Sequence, residues 1–319
     1  MIRNFRRIFL ESLMASAGAG LIPVWAKSNS SVLRPVDMGD TELPTLESGS
    51  GPVILLVHGA NADMRFWWPV TESLRDKFTI LSYNLRGHDA QAGRHAKQTR
   101  NVEGYLQYSL LQHAADLATL TKKMFPVPVH LVGHDFGANV AMLAAALHPG
   151  IASSITISNP SELGLVFEDP GFRKAVAEDR QLIDLIGRNL ADARAARAYD
   201  LFLKRYVGSE SHFLPTWTRA MFQSNARCLP MLLKMYRDNP ALDESRLSRL
   251  NIPVNLISGA FGRDSSRAIN DILAARFAKA PHALIPGGYL APILNPVGFS
   301  QAVHGFIAKL PAIGSMSRT

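Results

Sequence analysis

Short apolar runs recur along the chain and alternate with segments that favour helix. The runs "PVILLVHG", "FTILSYNL", "PVHLVGH", "SSITISNP", "NIPVNLISG" and "HALIPGG" are the apolar ones, and "HAADLATLTKKM" and "GANVAMLAAALH" are typical of the helical segments. Short buried strands that alternate with helices indicate parallel β-α-β units. The pattern therefore predicts an α/β fold with a mostly parallel, doubly wound sheet flanked by helices.

Two departures from this alternation define the predicted boundaries. Near the start, "VLRPVDM" and "LPTLES" predict two short strands, and Pro44 places the second of them at an edge of the sheet. Between residues 162 and 249 there are helical segments such as "FRKAVAEDRQLIDLIGRNL", but no run resembles a strand. A helical insertion between strands of one sheet is typical of a cap. We therefore predict a core formed by 32–161 and 250–311, with a helical cap at 162–249.

The first 26 residues resemble an export signal rather than a part of the fold. The basic and apolar "RRIFL" at 6–10 is followed by an alanine- and glycine-rich stretch, and "VWA" at 24–26 resembles a cleavage site. An ordinary amphipathic helix is the alternative. We predict export by the twin-arginine route to the periplasm or the medium, and no membrane span in the mature chain.

Composition and charge limit the classes of partner. The chain has 319 residues, of which 47% are apolar, and this is enough for one substantial core. Its formal net charge is +8, but the basic residues are dispersed, so nucleic-acid binding is not predicted. The single cysteine, Cys228, cannot form an intramolecular disulfide. We expect a small-molecule substrate and no metal or other cofactor, and the oligomeric state is left open.

The strongest chemical signal is "GHDFG" at 133–137, where a buried strand turns directly into a helix. Gly133 and Gly137 supply the space that such a sharp turn needs, and Asp135 stands at its apex. The turn holds that side chain above the carboxyl end of the sheet, near the positive end of the following helix. A carboxylate placed there can act as a nucleophile. An exposed aspartate in a structural glycine turn is the alternative.

Four motifs in order along the chain resemble the α/β-hydrolase superfamily. They are "LLVHGA", "NLRGH", "GHDFG" and "LISGAFGRD", and the resemblance covers most of the chain after the export signal. Aspartate in the sharp turn resembles the branch of haloalkane dehalogenases, fluoroacetate dehalogenases and epoxide hydrolases. In that branch the carboxylate attacks carbon and water then cleaves the ester. The resemblance implies that Asp135 is the nucleophile and that the N–H groups of Ala60 and Phe136 form the oxyanion hole.

The resemblance also implies roles for nearby histidines and for one acid. His58 and His88 are expected to support loops. His134 is expected to pack in the core, pointing away from the nucleophile along the strand. Asp264 follows the strand "VNLISG", where the superfamily keeps the acid that orients its catalytic histidine. The alternative is that Asp264 caps the helix that begins there.

The pattern departs from the superfamily at the catalytic histidine. The loop after the last strand reads "IPGGYLAPILNP", so that Tyr289 occupies the position of the base. His282 lies at the wrong end of that strand and His304 lies in the final helix, which leaves His212 in the cap as the alternative. Tyrosine has an unperturbed pKa of about 10 and is a poor base at neutral pH. The sequence therefore predicts a nucleophile whose ester lacks the usual means of cleavage.

Markers of the individual subfamilies are mixed. Phe136 lacks the indole N–H that dehalogenases place beside the nucleophile, whereas cap tyrosines of the kind that epoxide hydrolases use are present. Epoxide hydrolases are therefore the least contradicted subfamily. The candidates for substrate contacts, for which packing is the alternative, are Asn61, Trp67, Trp217 and Tyr206, and further residues of the same kinds are Phe66, Trp68, Tyr199 and Tyr236.

The sequence supports three hypotheses about function. The first is a hydrolase in which Asp135 attacks a small apolar epoxide or organohalide. The second is a lyase or isomerase in which Asp135 and Tyr289 transfer protons. The third is a non-catalytic protein that binds a ligand beneath the cap, since the histidine base is missing.

Overall fold

Eight strands form one sheet in the part of the chain that the structure describes. This computed structural model describes residues 31–88, 109–161, 173–206, 208, 213–229, 242, 244–260, 264–277 and 280–311. The strands are β1 Val32–Asp37, β2 Glu42–Gly49, β3 Val53–Val57, β4 Thr79–Tyr83, β5 Val129–His134, β6 Ala152–Ser158, β7 Val254–Gly259 and β8 His282–Ile285.

The strands lie in the spatial order β1-β2-β4-β3-β5-β6-β7-β8. β2 is antiparallel to both of its neighbours, and all the other pairs of strands are parallel. The prediction of a mostly parallel sheet is confirmed. Because the parallel strands share one direction, the residues that follow β3, β5, β6 and β8 meet at the same edge of the sheet.

Helices connect the strands, as the alternating pattern predicts. The helices of the described residues are α1 Trp68–Leu74, α2 Leu110–Met124, α3 Phe136–Leu147, α4 Arg173–Ala191, α5 Ala195–Tyr206, α6 Thr216–Ser224, α7 Glu244–Leu247, α8 Asp264–Arg276, α9 Ala291–Leu294 and α10 Pro296–Ile307, with short 3-10 turns at Met64–Trp67 and Ala226–Cys228. None of these helices combines the length and the apolar character that crossing a membrane requires. The segment between β6 and β7 contains α4 to α7 and no described strand.

The helix α3 is buried at the centre of the described residues. Its first eleven residues are buried, because it packs on β3, β5 and β6 and against α2 and α7. Five alanines in this helix keep its side chains small, which lets its backbone approach the sheet. The end of β5 and the start of α3 are therefore held from several sides, and the turn between them has a fixed position.

The prediction that Pro44 lies on an edge strand is wrong. β2 pairs with β1 on one side and with β4 on the other, so that β1 forms the edge. The carbonyl oxygen of Pro44 accepts a hydrogen bond from Asn84 N at 3.0 Å, and Asn84 follows the last residue of β4. The nitrogen and the carbonyl oxygen of Pro44 both point toward β4, as they do for any residue of an antiparallel strand. The N–H that proline lacks would therefore lie just beyond Tyr83, where the pairing of β2 with β4 ends. An internal strand accommodates the proline for that reason.

Candidate active site

Asp135 lies at the apex of the turn from β5 to α3. Its backbone has φ 54° and ψ −123°, and its N–H donates to the Ser158 carbonyl oxygen at 2.9 Å. A positive φ is strained for a residue with a side chain, and such strain persists only where surrounding structure enforces it. The side chain is 1% exposed. The turn therefore holds a buried carboxylate in one orientation at the carboxyl end of the sheet.

Gly137 allows α3 to lie directly against the end of β3. A Cβ at this position would overlap the backbone carbonyl oxygens of Val57 and His58. We expect Gly137→Ala to destabilise the fold by at least about 2 kcal/mol, since backbone atoms cannot move aside as a flexible side chain can. Gly305→Ala in α10 is the matched control, because a Cβ there meets nothing within 4 Å. Urea unfolding of both variants measures the difference, and equal stabilities would contradict the close approach.

The loop after β3 holds one oxygen of the Asp135 carboxylate. Ala60 N donates to Oδ2 at 2.7 Å, whereas Oδ1 has no hydrogen-bond partner among the described residues. Phe136 is the first residue of α3, and the N–H groups of the first helical turn have no intrahelical partner. Of the two N–H groups predicted to form the oxyanion hole, that of Ala60 contacts the Asp135 carboxylate, and that of Phe136 belongs to the residue directly after Asp135.

His58 fixes this loop through hydrogen bonds made by both nitrogens of its ring. Its Nε2 accepts a hydrogen bond from Leu85 N at 3.0 Å, which leaves Nδ1 to donate to the Gly59 carbonyl oxygen at 2.9 Å. The ring is fully buried, and this burial lowers the pKa of His58 to about 4. His58 is therefore a neutral, loop-supporting residue, as predicted.

The low pKa of His58 predicts a loss of stability in acid. The unfolded chain, where histidine titrates near 6.5, binds the extra proton between pH 6.5 and 4, whereas the folded state does not. Stability should therefore fall as the pH falls through this window, by about 3 kcal/mol from His58 alone. His113 and His130, whose pKa values burial also lowers to about 4, contribute in the same direction.

Urea unfolding across this pH range measures the effect. His58→Gln should be less stable at pH 7 but should show a smaller loss between pH 6.5 and 4. An unchanged pH dependence in the variant would show that His58 is not the buried neutral group described above.

A small cavity adjoins the Asp135 carboxylate. Its volume is about 10 Å³, which is room for about one water molecule. No lysine or arginine is among its described lining residues. The wall contains one carboxylate, Asp135, one imidazole, His134, and one phenol, Tyr289. Its other residues are small or apolar, and they are Gly59, Ala60, Ala62, Phe66, Phe202, Phe222 and Leu290.

Tyr289 lies in this cavity wall, opposite the loop that holds Asp135. Its backbone carbonyl oxygen accepts hydrogen bonds from His134 Nε2 at 2.8 Å and from Asn159 Nδ2 at 3.1 Å. The side chain is 7% exposed. The structure thus brings Asp135 and Tyr289 to one cavity, and whether Tyr289 stands in for a catalytic histidine stays a prediction.

His134 departs from the predicted orientation. It packs against Phe66 and Tyr289, with ring centroids 4.7 and 4.8 Å apart, but it also lines the cavity beside Asp135. Side chains alternate only along a regular strand, and β5 ends at His134. Because Asp135 has a positive φ, its side chain does not continue the alternation.

The other candidate histidines that the structure describes lie elsewhere. His282 is on β8, where its Nε2 lies 2.7 Å from Ser258 Oγ. His304 is on α10, with its ring 5.8 Å from that of Phe78. His212 lies outside the described residues. Among the described histidines, His134 is the one that lines the cavity.

Among the predicted substrate-contacting residues that the structure describes, Phe66 lies in the cavity wall, whereas Asn61, Trp67 and Trp217 do not. Asn61, with φ 56°, donates from Nδ2 to the Phe222 carbonyl oxygen at 3.0 Å and so joins the loop to α6. Trp67 is fully buried between the rings of His134 and Phe299. Trp217 is half-buried and packs against Trp68. Substrate contacts from these residues stay predictions.

Three other side chains can be placed only in part. Asp264 is the first residue of α8, and its side chain lies outside the described part of the structure, so both of its predicted roles stay predictions. The same is true of the Tyr206 side chain at the end of α5 and of the whole of Tyr236. Tyr199 is buried, its hydroxyl donates to the Arg219 carbonyl oxygen at 3.3 Å, and burial raises its pKa to about 12.

Three large apolar residues of the wall were not predicted from the sequence. Phe202 lies on α5, Phe222 on α6, and Leu290 follows Tyr289. Each is an apolar residue in or next to a helix, and sequence alone does not separate a helix face that meets a cavity from one that meets other side chains.

A buried ion pair joins α6 to the loop after β3. Asp63 pairs with Arg65 at 2.6 Å, Arg65 also donates to Ser224 Oγ at 2.8 Å, and Asn225 Nδ2 donates to Asp63 Oδ2 at 2.8 Å. Burial would raise the pKa of Asp63, but the charge and hydrogen bonds of Arg65 hold it below its usual value. The part of the predicted cap that carries Phe222 is therefore anchored to the loop that holds Asp135.

The chain belongs to a known family and is similar in sequence to several curated proteins. Residues 52–247 match the family described as alpha/beta hydrolase fold. The chain is 29% identical over 136 residues to a fluoroacetate dehalogenase from a Burkholderia species, covering 43% of each chain. It is 31% identical over 128 residues to 2-(acetamidomethylene)succinate hydrolase from Mesorhizobium japonicum, covering 40% of this chain and 42% of that one. It spans about two fifths of the length of these curated relatives.

Solved structures share the fold over most of this chain. The structure of E-2-(acetamidomethylene)succinate hydrolase gives a TM-score of 0.62 at 19% identity, over 87% of this chain and 99% of that one. The enol-lactonase from Burkholderia xenovorans gives a TM-score of 0.67 at 15% identity, over 86% and 100%. At identities of 15% and 19%, this structural similarity establishes the fold of the chain.

Proposed function

Because the chain belongs to the alpha/beta hydrolase fold family, we propose that it is a hydrolase in which Asp135 attacks carbon in a small, uncharged epoxide or organohalide. One observation carries this proposal. Ala60 N holds Oδ2 of the buried carboxylate, while Oδ1 has no described partner. A nucleophilic carboxylate needs one oxygen fixed and the other available.

The reaction proposed at Asp135 has two steps. In the first, Oδ1 forms a bond to carbon, and the bond from that carbon to the epoxide oxygen or to the halide breaks. The halide leaves as an ion, whereas the epoxide oxygen leaves as an alkoxide and takes a proton from water. In the second, water cleaves the ester at Cγ, and the N–H groups of Ala60 and Phe136 stabilise the oxyanion that forms there. An aspartate suits attack on a saturated carbon, because its attack on an ordinary ester would give an anhydride.

The charge and size of the cavity favour a small neutral substrate. A carboxylate-bearing substrate requires a cationic partner, and the described cavity wall contains no lysine or arginine. The cavity of about 10 Å³ admits about one water molecule, so a substrate must displace Phe202 or Phe222 on the cap side. The fluoroacetate of the Burkholderia enzyme's name is an anion, so we propose a different substrate for this chain.

One observation favours a second candidate function. Asp135 and Tyr289 line the same cavity, and a carboxylate with a phenol suits proton transfer in a lyase or isomerase. In that case Asp135 would form no covalent bond to the substrate.

Export by the twin-arginine route remains a separate proposal, because residues 1–26 lie outside the described part of the chain.

A panel of paired substrates tests the first proposal. Propylene oxide, styrene oxide and chlorobutane should yield diol or chloride, and the mass of the peptide that contains Asp135 should rise by the mass of the bound substrate. Chlorobutyrate, the charged counterpart of chlorobutane, should react far more slowly. An alkene from chlorobutane, or an aldehyde or ketone from the epoxides, without any adduct would favour the second candidate, and neither product nor adduct from any member would contradict both.

A further inference from the structure

The imidazole of His134 has a fixed tautomer. Nε2 lies 2.8 Å from the carbonyl oxygen of Tyr289, and a carbonyl oxygen can only accept a hydrogen bond. Nε2 must therefore carry the proton, and the neutral ring then has a bare lone pair on Nδ1. The residue is 1% exposed, and Nδ1 has no hydrogen-bond partner among the described residues. Nδ1 is thus a buried proton acceptor that the first reaction step does not use.

Nδ1 and the nucleophile face the same small space. A methyl group built on Gly59 would lie 2.9 Å from Asp135 Oδ2 and 3.2 Å from His134 Nδ1. The two atoms are therefore at most about 6 Å apart, a separation that one water molecule can bridge with two hydrogen bonds. A side chain at position 59 would overlap that of Asp135, and the cavity that both Asp135 and His134 line has room for about one water molecule.

We propose that His134 is a further catalytic residue, whose Nδ1 takes a proton from the water that cleaves the Asp135 ester. The inference rests on the proposed function, since it needs that ester. The water oxygen bonds to Cγ of Asp135 while one proton passes to Nδ1. The bond from Cγ to the ester oxygen, which was Oδ1 of Asp135, then breaks, and that oxygen takes the proton from His134 and leaves with the product. The regenerated Asp135 carboxyl releases its remaining proton to the solvent.

The surroundings make His134 an available but weak base. Burial lowers its pKa below 6.5, against smaller opposing effects of Asp135 and the Tyr289 carbonyl. The ring is therefore neutral at neutral pH, with its one proton on Nε2. The titratable groups that face it are Asp135 from the turn and Tyr289 from the loop after β8, whereas Phe66 and Trp67 on its other side carry none. A weak base supports slow release of the ester.

The variant His134→Gln separates the two steps. Its side-chain amide retains a donor for the Tyr289 carbonyl but has no equivalent of Nδ1. In rapid-mixing experiments with styrene oxide, we expect adduct formation within about threefold of wild type and release slower by at least about 100-fold. Wild-type release should also fall as the pH drops through the lowered pKa of His134, and the variant should lose this dependence. Asn159→Ala is the matched control, because it removes the other donor to the same carbonyl and leaves Nδ1 in place.

The outcomes distinguish this inference from the proposed function. Normal adduct formation with unchanged release in His134→Gln would overturn the role of His134 and leave Asp135 as the nucleophile. The absence of adduct in both proteins would overturn the proposed function and this role together. If His134→Gln does not fold, nitrogen-15 NMR of the wild type decides: a proton on Nε2 supports the role, and a proton on Nδ1 overturns it.

Discussion

Asp135→Asn is expected to turn over a wild-type substrate at least about 10⁴-fold more slowly and to form no adduct. The reason is that an amide oxygen is a far weaker nucleophile than a carboxylate oxygen. The fold should be retained, because the amide oxygen can still accept the hydrogen bond from Ala60 N. Product formation at saturating substrate, with thermal unfolding as a check on folding, measures the effect.

Asp116→Asn is the matched control for losing a buried carboxylate. Asp116 pairs with Arg86 at 2.7 Å and is 4% exposed, but it does not line the cavity. This variant should lose stability and keep its activity per folded molecule. Equal losses of activity in the two variants, or full activity in Asp135→Asn, would contradict the assignment of Asp135 as the nucleophile.

Tyr289→His is expected to speed release of the alkylated enzyme by about tenfold or more. In the wild type, attack needs only Asp135, whereas ester cleavage needs a proton taken from water, so the adduct should accumulate in a burst. The hydrogen bonds from His134 and Asn159 fix the backbone at position 289, and the side chain lies in the cavity wall. An imidazole there would add a second base beside His134. Burst kinetics of both proteins provide the measurement.

Two features identify the new imidazole as the cause of the gain. The increase should follow a titration near pH 6.5, the unperturbed histidine value. It should disappear in an Asp264→Ala background if Asp264 orients the new ring. Equal release rates in the two proteins, or no burst in the wild type, would show that Tyr289 does not occupy the position of a base.

The sheet and the sharp turn could be predicted because each depends on local sequence. Runs such as "VILLV" favour a buried strand wherever they occur. Gly137 allows the close contact between α3 and β3, and Gly133 allows the close contact between β5 and the start of α3. The start of α2 was predicted three residues too late, at His113. Ser109 Oγ caps the helix by accepting from Gln112 N, and the apolar pattern does not show this contact.

The details of the cavity could not be predicted, because they depend on residues far apart in the chain. His134 and Tyr289 are 155 residues apart, yet one hydrogen bond between them fixes the tautomer of His134. Asn61 contacts the backbone of Phe222, 161 residues away, and so joins the loop to α6. The alternation rule for strands placed His134 on the wrong side, because the rule does not extend through the positive φ of Asp135.

The central claim is that Asp135 forms an ester which water then cleaves at Cγ. A single turnover in H₂¹⁸O, with enzyme in excess over an epoxide, tests this claim most directly. We expect one ¹⁸O atom to enter the carboxylate of Asp135. The diol of this first turnover should carry an oxygen from the enzyme instead of one from the solvent. Peptide and product mass spectrometry detect both atoms. The appearance of ¹⁸O in the diol, with none in the peptide that contains Asp135, would contradict the claim.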